Sequence, residues 1–352
     1  MAHKSKVPTL HDVAQLAGVS ISTASRVLSD SDNTVNEAMR RKVIKAATEL
    51  KYVPNAFGQR LKHNASDTIG VIVPSLQNPF YNQVIIGIES AAAKLGCEIR
   101  LFSSHRSAAQ ERRAINLMLH NRVMALIIIS VDTSPDALTN FIAFGGKVAL
   151  LEADFHLDHA IVFETDYLDA GATAARHLVK LGHRKIAFLT APLTKISRRD
   201  TLTGIESVLK DAGLKFSSDD VFIAPTEGES STGVYEFEVG RQLAERMLRT
   251  KKPYTAVIAV NDIMAFGAIQ TITQRGYSVP NDISVMGFDN IMYSEMISPP
   301  LTTIEMPSVN MGRTACQLLF SSMDIDGEDA ANASLRFPLT LRQRRSTAPR
   351  QR

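Results

Sequence analysis

From Ile69 onward, short apolar runs alternate with amphipathic stretches. Each run holds about five Val, Ile, Leu or Ala residues, which is typical of strands buried on both faces of a parallel sheet. The stretches between them have a helical period, and Gly96, Gly182, Gly213 and Gly276 each end one before the next run, as C-terminal glycine caps do. The alternation predicts an α/β fold of two doubly wound subdomains. The runs are residues 69–73, 98–102, 125–129, 148–151, 186–189, 256–259 and 283–286.

The first 53 residues predict a separate all-α head. Apolar residues recur at helical spacing through the segment LHDVAQLA, and the Thr9-x-x-Asp12 capping box begins this helix. Gly18 ends it in a tight turn, and Ser20 is placed to cap a second helix. Asn36 can cap a third helix. Two short helices joined by a glycine turn form a helix-turn-helix motif, whose second helix lies in the DNA major groove.

The start of the second helix carries the expected DNA contacts. A helix N-terminus in the major groove places its first exposed side chains on base edges, which indicates Ile21, Ser22 and Arg26. Arg26 can donate to guanine O6 and N7, with a phosphate contact or a pair with Asp30 as alternatives. The other predicted DNA contacts from the head are Thr9, Ser20, Thr23, Ser25, Ser29 and Asn36.

The charge distribution supports this division. The chain has a net charge of +3, but residues 1–65 hold ten Lys and Arg against five acids, so the remainder carries −2. A basic head on a mildly acidic body fits a phosphate-binding module attached to a neutral sensor, with a solvated helix face as the alternative. The C-terminal LRQRRSTAPRQR is basic too, but it lacks aromatics and periodicity, which predicts a mostly solvated end.

The segment TLHDVAQLAGVSISTASRVL resembles the head of the lactose-repressor (LacI/GalR) family of bacterial transcription regulators, and the resemblance covers nearly the whole chain. It implies a head at 1–53, a hinge helix and linker at 54–66 and a periplasmic-binding-protein-like core at 67–352. Its two subdomains would be 67–165 plus 299–326 and 166–298 plus 327–352. The segment PNAFGQRLK matches the family's hinge helix, so Asn55, Leu61 and Lys62 are expected to contact DNA. Leu61 would be inserted into a minor-groove base step, with packing on the core as the alternative.

An effector site is expected where the first core strand meets its helix. Ligands bind at the carboxyl ends of strands in open α/β sheets, and VPSLQNPFYNQ supplies Ser75, Asn78, Phe80 and Tyr81 there, with core packing as the alternative for Phe80. Many family members carry an arginine where this chain has Thr201. The resemblance implies further cleft residues at Glu152, Phe163, Asp166, Asn261 and Asp289, with Arg198 and Arg199 as replacements for that arginine. A neutral sugar, a sugar acid and a phosphorylated sugar all remain open as effectors.

The resemblance therefore implies a cytoplasmic, nucleoid-associated homodimer, with a tetramer left open. It would repress a carbohydrate operon until a sugar or sugar derivative released it from a palindromic operator. Control by a corepressor or by a phosphocarrier protein is the alternative within the family. A sugar-binding transport protein is disfavoured because MAHKSKVPTL lacks the apolar segment of a signal peptide.

Other function classes find no support in the sequence. No apolar run approaches the ~20 residues of a membrane span. Cys97 and Cys316 have no metal-site spacing and fit a reducing compartment. No dinucleotide, P-loop, zinc-protease or hydrolase motif stands where a strand meets a helix. His177 and His183 are expected to be structural. We therefore expect no catalytic site, no metal and no cofactor.

Overall fold

The computed structural model describes residues 8–28, 35–50, 68–225, 234–321 and 334–350. Its contacts divide the chain into two units, residues 1–66 and 67–352. Within the described part of the chain, no helix combines the length and the apolar character that a membrane crossing requires.

The described residues of the first unit form three helices around a small apolar core. Its helices are α1 (Leu10–Ala17), α2 (Ile21–Leu28) and α3 (Glu37–Glu49). The Thr9–Asp12 capping box is confirmed, with Asp12 N donating to Thr9 Oγ1 (3.3 Å) and Thr9 N donating to Asp12 Oδ2 (2.8 Å). Gly18 has φ 67°, as a helix-ending glycine requires. Ser20 Oγ accepts from Thr23 N at 3.1 Å. The predicted helix-turn-helix is therefore present. Its helices pack on a core of buried Val13, Ala14, Ala24, Val27, Val43, Ala46 and Ala47.

In the second unit, the described residues form two six-stranded sheets, each covered by helices. In chain order its elements are β1 (Thr68–Val73), α4 (Pro79–Lys94), β2 (Glu98–Ser103), α5 (Ala108–His120), β3 (Ala125–Ile129), α6 (Asp136–Ala143), β4 (Lys147–Glu152), β5 (Ala160–Glu164), α7 (Tyr167–Lys180), β6 (Ile186–Thr190), α8 (Ile196–Asp211), β7 (Val221–Ile223), α9 (Tyr235–Arg249), β8 (Ala256–Ala259), α10 (Asp262–Gln274), β9 (Ser284–Asp289), β10 (Thr302–Glu305), α11 (Ser308–Ser321), β11 (Ser334–Arg336) and β12 (Thr340–Arg342). Short 3₁₀ turns lie at Ser218–Asp220 and Met292–Glu295.

The sheets define two lobes. The first lobe has the strand order β11-β5-β4-β3-β1-β2, and all of its pairings are parallel. The second lobe has the order β12-β10-β9-β8-β6-β7, in which only β10 and β12 pair in antiparallel fashion. Both central strands, β3 and β8, are buried along their whole length, because helices cover both faces. The predicted α/β fold with two subdomains is confirmed.

Three passages of the chain between the lobes lie in the described residues, and two of them lie at places other than expected. The first passage follows β5, near the expected Thr165. We expected the second near Pro299, but β10 extends the second lobe, so the passage lies at residues 306–307. We expected the third near Asp326, but β11 pairs with β5 and the passage lies at residues 337–339. Both strands are short and contain no run of Val or Ile, so apolar patterning did not indicate them.

Three helix pairs pack through reciprocal glycines. A Cβ added at Gly204 on α8 would lie 2.0 Å from Leu168 O on α7, and one at Gly171 on α7 would lie 2.1 Å from Thr201 O on α8. Gly87 with Gly312 joins α4 to α11 in the same way, and Gly240 with Gly267 joins α9 to α10. The backbones therefore touch at these crossings, where no side chain fits.

The C-terminal segment is part of the second lobe, so the prediction of a mostly solvated end is wrong. Ser346 is fully buried, donating to Val285 O (2.6 Å) and accepting from Thr302 N (2.8 Å). His177 Nε2 lies 3.0 Å from Thr347 Oγ1, and His183 Nε2 lies 3.1 Å from Ala348 O. The predicted structural role of both histidines is thereby confirmed: they hold this segment against α7 and the residues that follow that helix.

Candidate functional site

A cleft between the two lobes encloses a cavity of about 120 Å³. It lies beyond the carboxyl ends of the central strands, where an open α/β sheet leaves backbone amides and loop side chains free to bind a ligand. Aromatic residues from both lobes supply its apolar surface: Phe80, Tyr81, Tyr167, Tyr235 and Phe288. Its charged lining residues are Arg106, Glu152, Lys195, Arg198, Glu236 and Asp289. Apolar faces beside a few polar groups are typical of small-molecule sites.

Eight of the twelve side chains expected at the effector site line this cavity. They are Asn78, Phe80, Tyr81, Glu152, Arg198, Thr201, Asn261 and Asp289. Asn78 caps α4 by accepting from Phe80 N (3.0 Å), and Asn261 caps α10 by accepting from Met264 N (2.8 Å). Phe80 also packs into the core of the first lobe and against the edge of Tyr81, with ring centroids 5.4 Å apart.

The other four expected residues lie elsewhere. Ser75 is buried and accepts from Gln77 N (3.1 Å). Phe163 is stacked on Phe337 in the core of the first lobe, with centroids 5.8 Å apart. Asp166 caps α7 and lies 3.6 Å from Arg336. Arg199 is exposed and donates to the carbonyls of Leu193 (3.0 Å) and Thr194 (2.6 Å). Arg198 and Thr201, three residues apart, share the cavity side of α8, whereas Arg199 is turned away by about 100°.

An ion pair that the sequence did not indicate joins the two lobes across the cavity. Arg106 follows β2 in the first lobe, and its guanidinium donates to the Glu236 carboxylate at the start of α9 in the second lobe. Both side chains are under 8% exposed. Asn78 Nδ2 donates to the same carboxylate (3.1 Å), and the Arg106 guanidinium lies 6.0 Å from the centre of the Tyr235 ring. The strand-end rule could have indicated Arg106, but no local pattern indicates its partner.

A second polar link closes the cleft at Lys195. Its ammonium lies 3.4 Å from Asp154 Oδ2 and donates to Ser130 O at 3.2 Å, both in the first lobe. Asp154 Oδ1 also accepts from Ile196 N at 2.8 Å. The Ser130 loop is itself held by buried Glu111, which accepts from Ser130 Oγ (2.5 Å) and Val131 N (2.7 Å). The pKa of the Glu111 carboxyl is raised by its burial.

Replacing Glu236 by glutamine is expected to loosen the cleft. The loss of one partner of a buried ion pair costs several kcal/mol, and separation of the lobes would let Arg106 regain water. Amides at the cleft edges in β2 and α9 should then exchange hydrogen about tenfold faster or more, as measured by mass spectrometry. The control is Glu238→Gln, which removes an exposed carboxylate from the same helix. Equal exchange in the two variants would contradict a closing role for the pair.

The head exposes the residues expected to contact DNA bases. Ile21 is 50% exposed, and Ser22 and Arg26 are exposed on the same helix, α2. Ser20 Oγ lies 2.8 Å from both Ser22 Oγ and Thr23 Oγ1, so these hydroxyls form one cluster at the start of α2. Among the other predicted DNA contacts, Thr9 and Asn36 are exposed caps of α1 and α3, and Ser25 is half-buried. The remaining predicted contacts lie outside the described residues: Ser29, Asn55, Leu61 and Lys62.

Family models match both parts of the chain. Residues 9–55 match the model described as bacterial regulatory proteins, lacI family. Residues 66–344 match the model described as periplasmic binding proteins and sugar binding domain of LacI family. The second match alone covers more than half of the chain.

Curated relatives and solved structures give the same result. The ribose operon repressor of Escherichia coli is 33% identical over 88% of this chain and 92% of its own length. The HTH-type transcriptional repressor PurR of Mannheimia succiniciproducens is 31% identical over 89% of this chain and 91% of its own length. The crystal structure of the Lac repressor dimer bound to operator and the anti-inducer ONPF is 30% identical, with a TM-score of 0.77, and covers 97% of this chain and 100% of its own.

Proposed function

Because this chain belongs to the LacI family of bacterial transcription regulators, we propose that it represses a carbohydrate operon and releases its operator when a sugar or sugar derivative binds the cleft. One observation carries the proposal. A head that exposes Ile21, Ser22 and Arg26 occurs in the same chain as a cavity bounded by two lobes. DNA binding and small-molecule sensing thus belong to one polypeptide.

The chemistry of the cavity favours a polyhydroxylated ligand. The carboxylates of Glu152 and Asp289 can each accept from neighbouring hydroxyls, and the amides of Asn78 and Asn261 can both donate and accept. Phe80 supplies an apolar face of the kind that covers a sugar ring. Relatives support the same class, since one is named a ribose operon repressor and the matching core model is described as a sugar binding domain.

The cations of the cavity bear on which sugar derivative binds. Thr201 is too short to grip a ligand as an arginine does, whereas Arg198 lines the cavity and donates to Pro192 O at 2.8 Å. Arg106 and Lys195 are each already paired with a carboxylate. A charged effector would compete with these internal pairs, so we infer that a neutral sugar is favoured over a sugar acid or a sugar phosphate.

Release of the operator requires the effector to favour one arrangement of the lobes over another. Coupling of this kind is a difference in effector affinity between two states, typically about 1–3 kcal/mol. A homodimer would present two heads to the two halves of a palindromic operator. Paired hinge segments, with Leu61 in the minor groove, would part when the lobes move.

The experiment is a release screen on the full-length protein. Protein bound to a labelled palindrome from its own upstream region is followed by fluorescence anisotropy while neutral sugars, sugar acids and sugar phosphates are added. We expect one neutral sugar to lower operator affinity about 5- to 150-fold. The Asn261→Ala variant should bind the same operator but need far more sugar. Tighter operator binding with a ligand would show a corepressor instead, and no response to any sugar would reject the proposed effector class.

A further inference from the structure

The turn that follows β9 holds Asp289 in a backbone conformation that non-glycine residues rarely adopt. Asp289 has φ 106° and Asn290 has φ 54°, both in the left-handed region that favours glycine. Such residues persist only where the surrounding structure fixes them. Because Asp289 lines the cavity and is only 9% exposed, this strained turn sets where its carboxylate lies.

A second, deeper carboxylate fixes the turn. Asp262 begins α10, is fully buried and is absent from the cavity lining. Its Oδ2 accepts from Ile291 N (3.0 Å) and Ser294 Oγ (2.6 Å), and its Oδ1 accepts from Thr303 Oγ1 (2.6 Å). The three donors come from the turn after β9, the 3₁₀ turn beyond it and strand β10. One side chain therefore ties together three segments that follow the strained residues along the chain, beginning with Ile291, the residue directly after them.

Gly287 makes room for that carboxylate. A Cβ at this position of β9 would lie 2.4 Å from Asp262 Oδ1, so only glycine allows α10 to approach the strand so closely. On the outer side of the turn, Arg344 donates to Asn290 Oδ1 (2.7 Å), Leu301 O (2.9 Å) and Glu295 Oε1 (2.6 Å). The turn is thus held from within by Asp262 and from outside by the C-terminal segment.

We propose that Asp262 is a positioning residue, which holds Asp289 in its strained conformation and so aims the Asp289 carboxylate into the cavity. The proposal rests on the proposed function in one respect, because it takes Asp289 to be an effector contact. It adds a residue that touches no effector and acts through another.

The electrostatics of the turn give a measurable signature. Burial raises the pKa of Asp289 well above its usual range, and the neighbouring carboxylates of Asp262, Glu236 and Glu152 raise it further. Burial also raises the pKa of Asp262 to about 7. The three hydrogen bonds that Asp262 accepts and the Arg344 guanidinium act in the opposite direction and lower this pKa. Removing the Asp262 charge should therefore lower the pKa of Asp289, because a like charge beside it disappears.

The test uses full-length protein without any effector. Crystal structures are compared for the wild type, Asp262→Asn and the exposed control Asp211→Asn, and the Asp289 carboxyl is titrated by ¹³C NMR, with its signal assigned by its loss in Asp289→Asn. In Asp262→Asn we expect φ of Asp289 to leave the left-handed region and its titration midpoint to fall. Asp211→Asn should match the wild type in both.

A milder variant covers the case in which Asp262→Asn does not fold. Thr303→Val combined with Ser294→Ala removes two of the three donors and keeps the Asp262 carboxylate. The backbone angle φ of Asp289 should then leave the left-handed region, as expected for Asp262→Asn. An Asp289 that keeps its backbone angles in whichever of these variants folds would overturn the proposal, even if its titration midpoint falls, because loss of the Asp262 charge alone lowers that midpoint. Neither readout needs a sugar, so a failed release screen would reject the effector class without altering this result.

Discussion

Replacing Arg26 by alanine is expected to weaken binding to the specific operator by about 10- to 100-fold. A guanidinium that donates to guanine O6 and N7 contributes about 1–3 kcal/mol of discrimination against the wrong base. Arg26 is exposed on α2, the helix whose N-terminal part faces the major groove in a helix-turn-helix. The measurement is fluorescence anisotropy on the palindrome and on a scrambled duplex, because loss of base contacts lowers the ratio of the two affinities.

Arg41→Ala is the matched control for this prediction. It removes the same charge from an exposed position on α3, outside the predicted contact set. A residue that binds only phosphate weakens specific and scrambled DNA alike. If Arg26→Ala lowers both affinities equally, Arg26 binds phosphate and base reading belongs to other residues.

Replacing Gly204 by leucine is expected to destabilise the core by about 3 kcal/mol or more. The first atom of any side chain would lie 2.0 Å from Leu168 O, and that backbone cannot rotate away as a side chain can. Helices α7 and α8 would have to separate, which exposes the apolar cluster around Ile205 and Leu209. Overpacking typically costs 1–3 kcal/mol, and a clash with backbone belongs at the upper end. Urea unfolding followed by circular dichroism measures the effect.

Ser207→Ala provides the comparison on the same helix. Ser207 is exposed on α8, so its replacement should change the free energy of unfolding by no more than about 0.5 kcal/mol. A Gly204→Leu protein as stable as Ser207→Ala would mean that the two helices can move apart at little cost. The reciprocal glycine contacts would then not determine their packing.

The sequence predicted those parts of the fold whose signal is local. Buried parallel strands such as β3 and β8 are continuous apolar runs. In the head, the Thr9 cap and Gly18 indicate where the first helix begins and ends. Strands β10, β11 and β12 are three or four residues long and carry Thr, Ser or Arg instead of an apolar run. Their place in the sheets depends on distant partners such as β9 and β5, which no local pattern contains.

The residues of the candidate site also differ in whether a local sequence pattern indicates them. Asn78 follows β1, so the strand-end rule and its capping role indicated it, whereas Asn261 was indicated by the family resemblance. Glu236 and Lys195 form ion pairs with residues of the opposite lobe, Arg106 and Asp154 respectively. Asp262 shows its importance only through three hydrogen bonds to residues 29 to 41 positions away. Long-range pairing is what the sequence alone could not supply.

We propose that one chain couples specific operator binding to a sugar in its cleft. The most direct measurement is the affinity of the full-length protein for its own palindrome and for a scrambled duplex, across salt concentrations, with and without the sugar found by screening. We predict that the palindrome is bound at least about 10³-fold more tightly than the scrambled duplex, and that the sugar removes most of this preference. Weak binding that is equal on both duplexes, steeply dependent on salt and unaffected by sugar would mean that the head binds phosphate generically and that no such coupling exists.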